Sequence, residues 1–241
     1  MKSGRDYIIF PLDVASMGEA EAWVRRLDGR VGMFKIGLEL FILQGPSVIT
    51  RVRDLSNAGI FLDLKLHDIS ATVRRAMERV AELGVDLVTV HCSSSARMLE
   101  MAVQGGQGRT GVLGVTLLTD NDAHVVEQAG YKDEFSRDPG RLVMKRAGMA
   151  FAAGCSGVVC SGREVASIKA AFGQGFLAVT PGIRPEWTVL EADDQKRITT
   201  PASAVLSGAD LIVVGRPIRA AVNPESAAAR IAEEIDSVLY R

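Results

Sequence analysis

No stretch of this sequence reaches the roughly 18 consecutive apolar residues that a membrane-spanning helix needs, so no such helix is expected. The opening residues, MKSGRDYIIFPLDVAS, hold an apolar run of only about five residues, broken by Pro11 and Asp13, and are not expected to act as a secretory leader. A cytoplasmic location is expected. Cysteine is scarce: Cys92, Cys155 and Cys160 make an odd number, and no pair has CxxC spacing. A disulfide framework and a thiolate metal site are both disfavoured, and the three are expected to be small core residues in a reducing compartment. An excess of one charge is also missing, with 28 Lys and Arg against 29 Asp and Glu. A nucleic-acid partner would require a basic surplus. A small anionic ligand would not, because a few well-placed cations suffice for it. No GxGxxG follows the first apolar run, and no linker, repeat or low-complexity tract divides the chain.

What is present is a regular alternation. The chain has 241 residues, 47% of them apolar, enough to bury a large core. Eight short runs rich in Val, Ile, Leu and Phe read as buried parallel strands, over 7–12, 33–36, 61–65, 87–91, 112–117, 157–160, 176–179 and 211–214. Amphipathic helical segments separate them, among them 17–27, 72–83, 96–103, 140–153 and 225–239, the last opened by Pro224. Eight strands each followed by a helical stretch point to an α/β fold, a single (β/α)8 TIM barrel over residues 1–241. An open doubly wound sheet is the alternative. Two segments are expected to be irregular, 120–138 and 180–200; a loop as long as the second in a compact domain is usually functional, often a lid.

In such a barrel the active site lies at the C-terminal ends of the strands, and polar residues gather there. Strand 1 ends in Asp13, and strand 2 carries Lys35. Strand 3 reads Phe61-Leu62-Asp63-Leu64-Lys65-Leu66-His67-Asp68. Side chains alternate along a strand, so Asp63 and Lys65 share the inward face, His67 joins them if the strand runs on, and Leu62, Leu64 and Leu66 face the helices. Inward charges are costly unless paired. A lone Asp-x-Lys would suit a structural ion pair as well as a catalytic one; with Asp68 close behind and Lys35 on the next strand, four alternating charges at one rim read as chemistry. His91 ends strand 4 and is compatible with either a structural or a catalytic role. A hydroxyl at Thr119, after strand 5, suits a polar ligand. The loops after strands 7 and 8 offer Gly182 with Arg184 and Gly215 with Arg216, the pairing of glycine and guanidinium that suits a phosphate monoester.

Taken together, Asp63-Leu64-Lys65-Leu66-His67-Asp68-Ile69 with Lys35 resembles the orotidine 5′-monophosphate decarboxylase family. Leu12-Asp13, Phe34-Lys35-Ile36-Gly37, Val179-Thr180-Pro181-Gly182-Ile183-Arg184-Pro185, Asp194-Gln195-Lys196-Arg197 and Val214-Gly215-Arg216-Pro217-Ile218 match in order along nearly the whole chain. The resemblance implies conversion of orotidine 5′-monophosphate to UMP and CO2 without a metal or organic cofactor. It implies that Lys65 is the proton donor, within a charged array of Asp63, Lys35 and Asp68. It implies that Asp13 and Lys35 bind ribose hydroxyls, Thr119 the pyrimidine, and Gln195, Arg216 and the Gly215 backbone the phosphate, with Arg184 nearby. It further implies a homodimer in which Asp68, Ile69 and Thr72 complete the neighbouring subunit's site. The sequence departs from the family pattern at Ser70-Ala71 (usually Pro-Asn), at Cys92-Ser93-Ser94-Ser95 (usually Ala-Ser-Gly-Gly) and at Asp120 (commonly Ser). These changes bear on ligand positioning and leave the charged residues intact.

Two other functions fit the same barrel. A magnesium-dependent sugar-phosphate decarboxylase or aldolase also uses an Asp-x-Lys-x-x-Asp array, but sensitivity to EDTA would mark it, and His67-Asp68-Ile69 with Asp194–Arg197 favours the nucleotide enzyme. A non-catalytic nucleotide-binding barrel would be expected to have lost Asp63 or Lys65, and both are present.

Overall fold

The computed structural model describes residues 2–188 and 199–239. Its eight strands are β1 (Ile8–Pro11), β2 (Met33–Gly37), β3 (Gly59–Leu66), β4 (Leu87–His91), β5 (Gly111–Val115), β6 (Gly157–Val159), β7 (Leu177–Thr180) and β8 (Leu211–Val213). All are parallel, each pairs with its sequence neighbours, and β8 returns to β1 to close the barrel. Closure follows from the residues: these strands are apolar on both faces, so a flat sheet would leave two faces to cover and two open edges.

Alternation divides the core in two. Ile9, Met33, Phe61, Leu87, Leu113, Val179 and Leu211 point inward and fill the barrel. Ile8, Phe10, Phe34, Ile36, Ile60, Leu62, Val88 and Val90 point outward and pack against the helices. Between the strands run α1 (Met17–Leu27), α2 (Leu38–Gln44), α3 (Ser47–Leu55), α4 (Ser70–Leu83), α5 (Ala96–Gly106), α6 (Ala123–Gln128), α7 (Asp133–Arg137), α8 (Pro139–Ala152), α9 (Val165–Phe172), α10 (Pro201–Leu206), α11 (Arg216–Arg219) and α12 (Pro224–Leu239). Among the described residues, no helix is long and apolar enough to cross a membrane.

The expected strands fall within two residues of those observed, and the barrel is the expected one. Two expectations are corrected. The segment 120–138 is not irregular throughout: it holds α6, which Asp122 caps by accepting from the His124 and Val125 amides, and the short α7. Strand 5 stops at Val115 rather than Leu117, because the Thr116 hydroxyl turns to donate to the Val159 carbonyl. The long segment after β7 has its two ends tied together by a bridge between Ile183 and Thr199. Its expected phosphate ligand Gln195, with Asp194, Lys196 and Arg197, lies outside the described residues.

Candidate active site

Register places the charged side chains. Lys35 stands opposite Pro11 on one side and Phe61 on the other, and Gly37 stands opposite Asp63. Lys35 therefore sits one step above Met33 on the inward face, and Asp63 one step above Phe61, at the C-terminal mouth. Asp63 is the centre of the array. Its Oδ2 accepts from Lys65 Nζ at 2.8 Å and lies 3.5 Å from Lys35 Nζ. Lys35 Nζ in turn donates to Asp13 Oδ1 at 2.9 Å. The order is Asp13, Lys35, Asp63, Lys65, alternating in sign and neutral in sum. Lys35 and Asp63 are largely buried, at 12% and 13% side-chain exposure, while Lys65 keeps 31% and Asp13 51%, so the chain of charges runs from the barrel wall toward solvent at both ends.

Burial alone pushes the Asp63 carboxyl up. The ammoniums of Lys35 and Lys65, with hydrogen bonds from Lys65 and Thr89, outweigh burial and hold the carboxyl below its ordinary range. Asp63 is thus an anion between two cations. The pairing has a steric condition at Gly37, where a Cβ would stand 3.1 Å from Asp13 Oδ1 and 3.3 Å from Lys35 Nζ. Arg219 anchors the Asp13 end, donating to the carbonyls of Asp13 and Pro11 at 2.7 Å each.

The expected inward alternation of Asp63 and Lys65 holds, but through an irregular backbone. Leu62 pairs with Val88 and Leu66 with Val90, so β3 carries two more residues than β4 across this step. Lys65 lies within the bulge at φ +50°, a left-handed conformation uncommon for a residue with a Cβ. Two positions at the rim differ from the sequence reading. His67 does not extend the inward row: β3 ends at Leu66, His67 is exposed, and its ring lies 5.7 Å from that of His91, tilted by 51°. Asp68 is not in the array within one chain. It is exposed, and its Oδ1 accepts from the Ile69 amide at 2.6 Å. Asp13 takes the fourth place.

The other expected residues stand as follows. Ile69 is 71% exposed, and Thr72, in the first turn of α4, is half-buried. Thr119 and Asp120 are exposed in the turn after β5 and line a cavity of about 1170 Å³, which Ser161, Arg163, Pro181 and Gly182 also line. This cavity occupies the β5–β7 side of the mouth, whereas the charged array stands on the β1–β3 side. Arg184 is buried and donates to the Ile183 carbonyl at 2.9 Å, while Arg216 is exposed at the start of α11. Gly215 lies against Pro11, where a Cβ would approach Pro11 Cγ to 2.9 Å. Cys92 is buried, and Ser95 caps α5 by accepting from the Met98 amide. His91, compatible with either role from sequence, has its pKa pushed below the ordinary imidazole range by burial, then by His67, Lys65 and Arg146, against the pull of Asp63.

Three contributors escaped the sequence reading. Thr89 bonds both members of the Asp63–Lys65 pair. Its only sequence signal is a hydroxyl in an apolar strand, which β propensity already explains. Arg219 has no motif to betray it. Arg146 is buried in α8 and donates to the Thr116 carbonyl at 2.6 Å and to the Tyr131 hydroxyl, bracing the turn that bears Thr119. Among the described residues, no three His, Cys, Asp or Glu side chains gather as a metal-binding group.

Comparison with known proteins agrees with this geometry. Residues 6–231 match the profile of the Orotidine 5′-phosphate decarboxylase / HUMPS family. The orotidine 5′-phosphate decarboxylase of Desulfosudis oleivorans is 49% identical over 239 residues, covering 99% of this chain and 96% of the relative. That of Halorhodospira halophila is 45% identical over 96% of this chain and 97% of its own. The crystal structure of orotidine 5′-phosphate decarboxylase from Lactobacillus acidophilus superposes with a TM-score of 0.81 at 33% identity, over 95% of this chain and 98% of that one. With the profile spanning nearly all of the barrel and relatives aligned end to end, this chain belongs to the Orotidine 5′-phosphate decarboxylase / HUMPS family.

Proposed function

We propose that this protein is a carboxy-lyase that converts orotidine 5′-monophosphate to UMP and CO2, the reaction named for its relatives, and does so without a cofactor. The observation that carries the reading is the Asp63 carboxylate held between the Lys35 and Lys65 ammoniums on the inward face of the barrel mouth. Breaking the bond from C6 to the carboxylate leaves an electron pair on a vinylic carbon with little resonance relief. The Lys65 ammonium opposes that developing charge and then gives its proton to C6, forming the C–H bond of UMP; the amine left behind recovers a proton from solvent. Asp63, close to the substrate carboxylate, favours its departure as neutral CO2.

In this proposal Asp13 and Lys35 take the ribose hydroxyls and Thr119 the pyrimidine. Arg216, the Gly215 amide and Gln195 take the phosphate, with Arg184 beside them. Binding energy gathered at phosphate and ribose supports the step at C6. One barrel spans residues 1–241, the location is cytoplasmic, and the working unit is a homodimer. Asp68, Ile69 and Thr72 reach the neighbour's site. In support, Leu38, Ile42 and Leu43 on α2 and Ile69 beyond β3 are exposed apolar residues on adjoining strand-to-helix connections, next to the site.

The test is the loss of pyrimidine absorbance when orotidine 5′-monophosphate meets EDTA-treated protein. Turnover is expected to survive EDTA, and Lys65→Ala is expected to lower it at least about 10³-fold with the fold intact. Loss of activity with EDTA that magnesium restores would move the protein to the metal-dependent sugar-phosphate reading. Substantial turnover in Lys65→Ala would remove Lys65 from its role.

A further inference from the structure

Thr89 is fully buried in the middle of β4, opposite the bulge in β3. Between the pairs Leu62–Val88 and Leu66–Val90, one strand spends three residues where the other spends Thr89 alone. Such an insertion takes a backbone amide out of the ladder, and a buried amide without an acceptor is costly. Here the amide is that of Lys65, whose φ of +50° is itself unfavourable for a side chain with a Cβ. The Thr89 hydroxyl answers both needs. Its oxygen accepts from the Lys65 N–H at 2.9 Å, and its proton goes to Asp63 Oδ1 at 2.9 Å. The Lys65 ammonium uses the other carboxylate oxygen, Oδ2. One hydroxyl therefore fixes the backbone from which Lys65 extends and the carboxylate plane on which its ammonium rests.

We infer that Thr89 is a positioning residue for proton delivery by Lys65: it acts through Lys65 and Asp63 and holds the strained bulge that aims the ammonium. The inference rests on the proposed role of Lys65. Valine keeps the branched shape and β preference of threonine and lacks the hydroxyl; serine keeps the hydroxyl and lacks the methyl. The charged and titratable groups around the pair are Lys35 from β2, Asp13 beyond it, Lys65 on β3 itself, and His91 from β4. None of these is altered by the substitutions at Thr89.

Steady-state decarboxylation of orotidine 5′-monophosphate across pH, with UMP affinity by calorimetry, is compared for wild type, Thr89→Val and Thr89→Ser. Thr89→Val is expected to lower kcat about 10²-fold, the cost of a misplacement near 1 Å, while KM and UMP affinity change less than about threefold. The acid limb of kcat is expected to move to higher pH, because Asp63 loses a donor that favours its ionised form. Thr89→Ser is expected to restore kcat and the limb. Wild-type kcat with an unmoved limb in Thr89→Val overturns the inference, as does equal damage in Thr89→Ser. Should Thr89→Val not fold, Thr89→Ser is set against Thr89→Ala, which relieves crowding, and the same split is required. Lys65→Ala, assayed alongside, separates the two claims. If it is inactive and Thr89→Val is normal, only this inference fails; if it is active, the role of Lys65 fails and takes this inference with it.

Discussion

Asp63→Asn removes one charge from the centre of the array and little else. The amide keeps the carboxylate's shape, yet it leaves the Lys35 and Lys65 ammoniums facing each other across a neutral group, with Lys35 only 12% exposed. At an effective dielectric near 20, contacts of 2.8 and 3.5 Å correspond to gross attractions of about 6 and 5 kcal/mol. Desolvation of three ions offsets most of that. Truncating one partner of a buried pair costs roughly 3–5 kcal/mol, and the open flank at Lys65 argues for the lower end, about 3 kcal/mol. For a chain of this length that is a fall in Tm of roughly 6–12 °C at neutral pH. The dependence on pH gives the sharper test. The folded-state pKa of Asp63 lies below its unfolded value of 3.8, so its contribution is fully present above that value. It is lost as the pH falls through the folded value. The deficit of Asp63→Asn relative to wild type should therefore be constant from pH 7 to about pH 5 and shrink below about pH 4. Urea unfolding of both proteins at pH 7, 5 and 3.5 measures it. If Asp63→Asn proved as stable as wild type at pH 7, or its deficit stayed unchanged at pH 3.5, the claim that this carboxylate reconciles the two ammoniums would be refuted.

Three more predictions concern the subunit interface and the core. Lys65→Ala and Asp68→Ala subunits, each inactive alone, are expected to recover about a quarter of wild-type activity after equal mixing, since half the dimers hold one intact site in two; no recovery after verified exchange would argue against a shared site. Burial raises all three thiols to about 12, so a thiol reagent at neutral pH is expected to label none in the native protein and all three in urea. Gly114→Ala, whose new Cβ would stand 2.5 Å from Cys92 Sγ and 3.0 Å from the Ala150 Cβ, is expected to cost about 1–3 kcal/mol by overpacking and to speed that labelling.

Much of this site could be read from the chain because strand alternation and barrel geometry act together. Period two put Asp63 and Lys65 inward, and the strand order put Lys35 beside them. The row ends before His67, because β3 stops at Leu66 and alternation reaches only as far as the strand. The bulge opposite Thr89 breaks the ladder, and no residue in Asp63-Leu64-Lys65-Leu66 announces it; a glycine at the left-handed position would have done so, and a lysine stands there instead. Asp68 was grouped with the array by closeness in sequence, which says nothing of direction once a strand has ended. Arg219 was hidden for the opposite reason, reaching Asp13 from 206 residues away. Of the helices within 120–138, α6 has an ordinary start signal in Asp122, whereas α7 follows Lys132, which supplies no side-chain cap.

The sign pattern of the array bears on how the proposed reaction proceeds. Asp13, Lys35, Asp63 and Lys65 sum to zero, so the mouth holds its charges at modest cost. A substrate carboxylate entering beside Asp63 makes three anions against two cations, in a place where Lys35 and Lys65 are already engaged. Loss of CO2 takes that charge off the carboxylate and leaves it on C6. Proton transfer from Lys65 then neutralises C6 at the expense of one cation, so the net charge is unchanged until the amine recovers a proton from solvent; what the chemical step relieves is the closeness of the substrate's negative charge to Asp63, by moving it to C6 beside the Lys65 ammonium. This places the advantage in the chemical step, where differential stabilisation accelerates a reaction. The affinity needed to bring the substrate carboxylate in must come from elsewhere on the ligand, which is the work assigned here to the glycine and arginine of the loop after β8 and to the ribose contacts of Asp13 and Lys35.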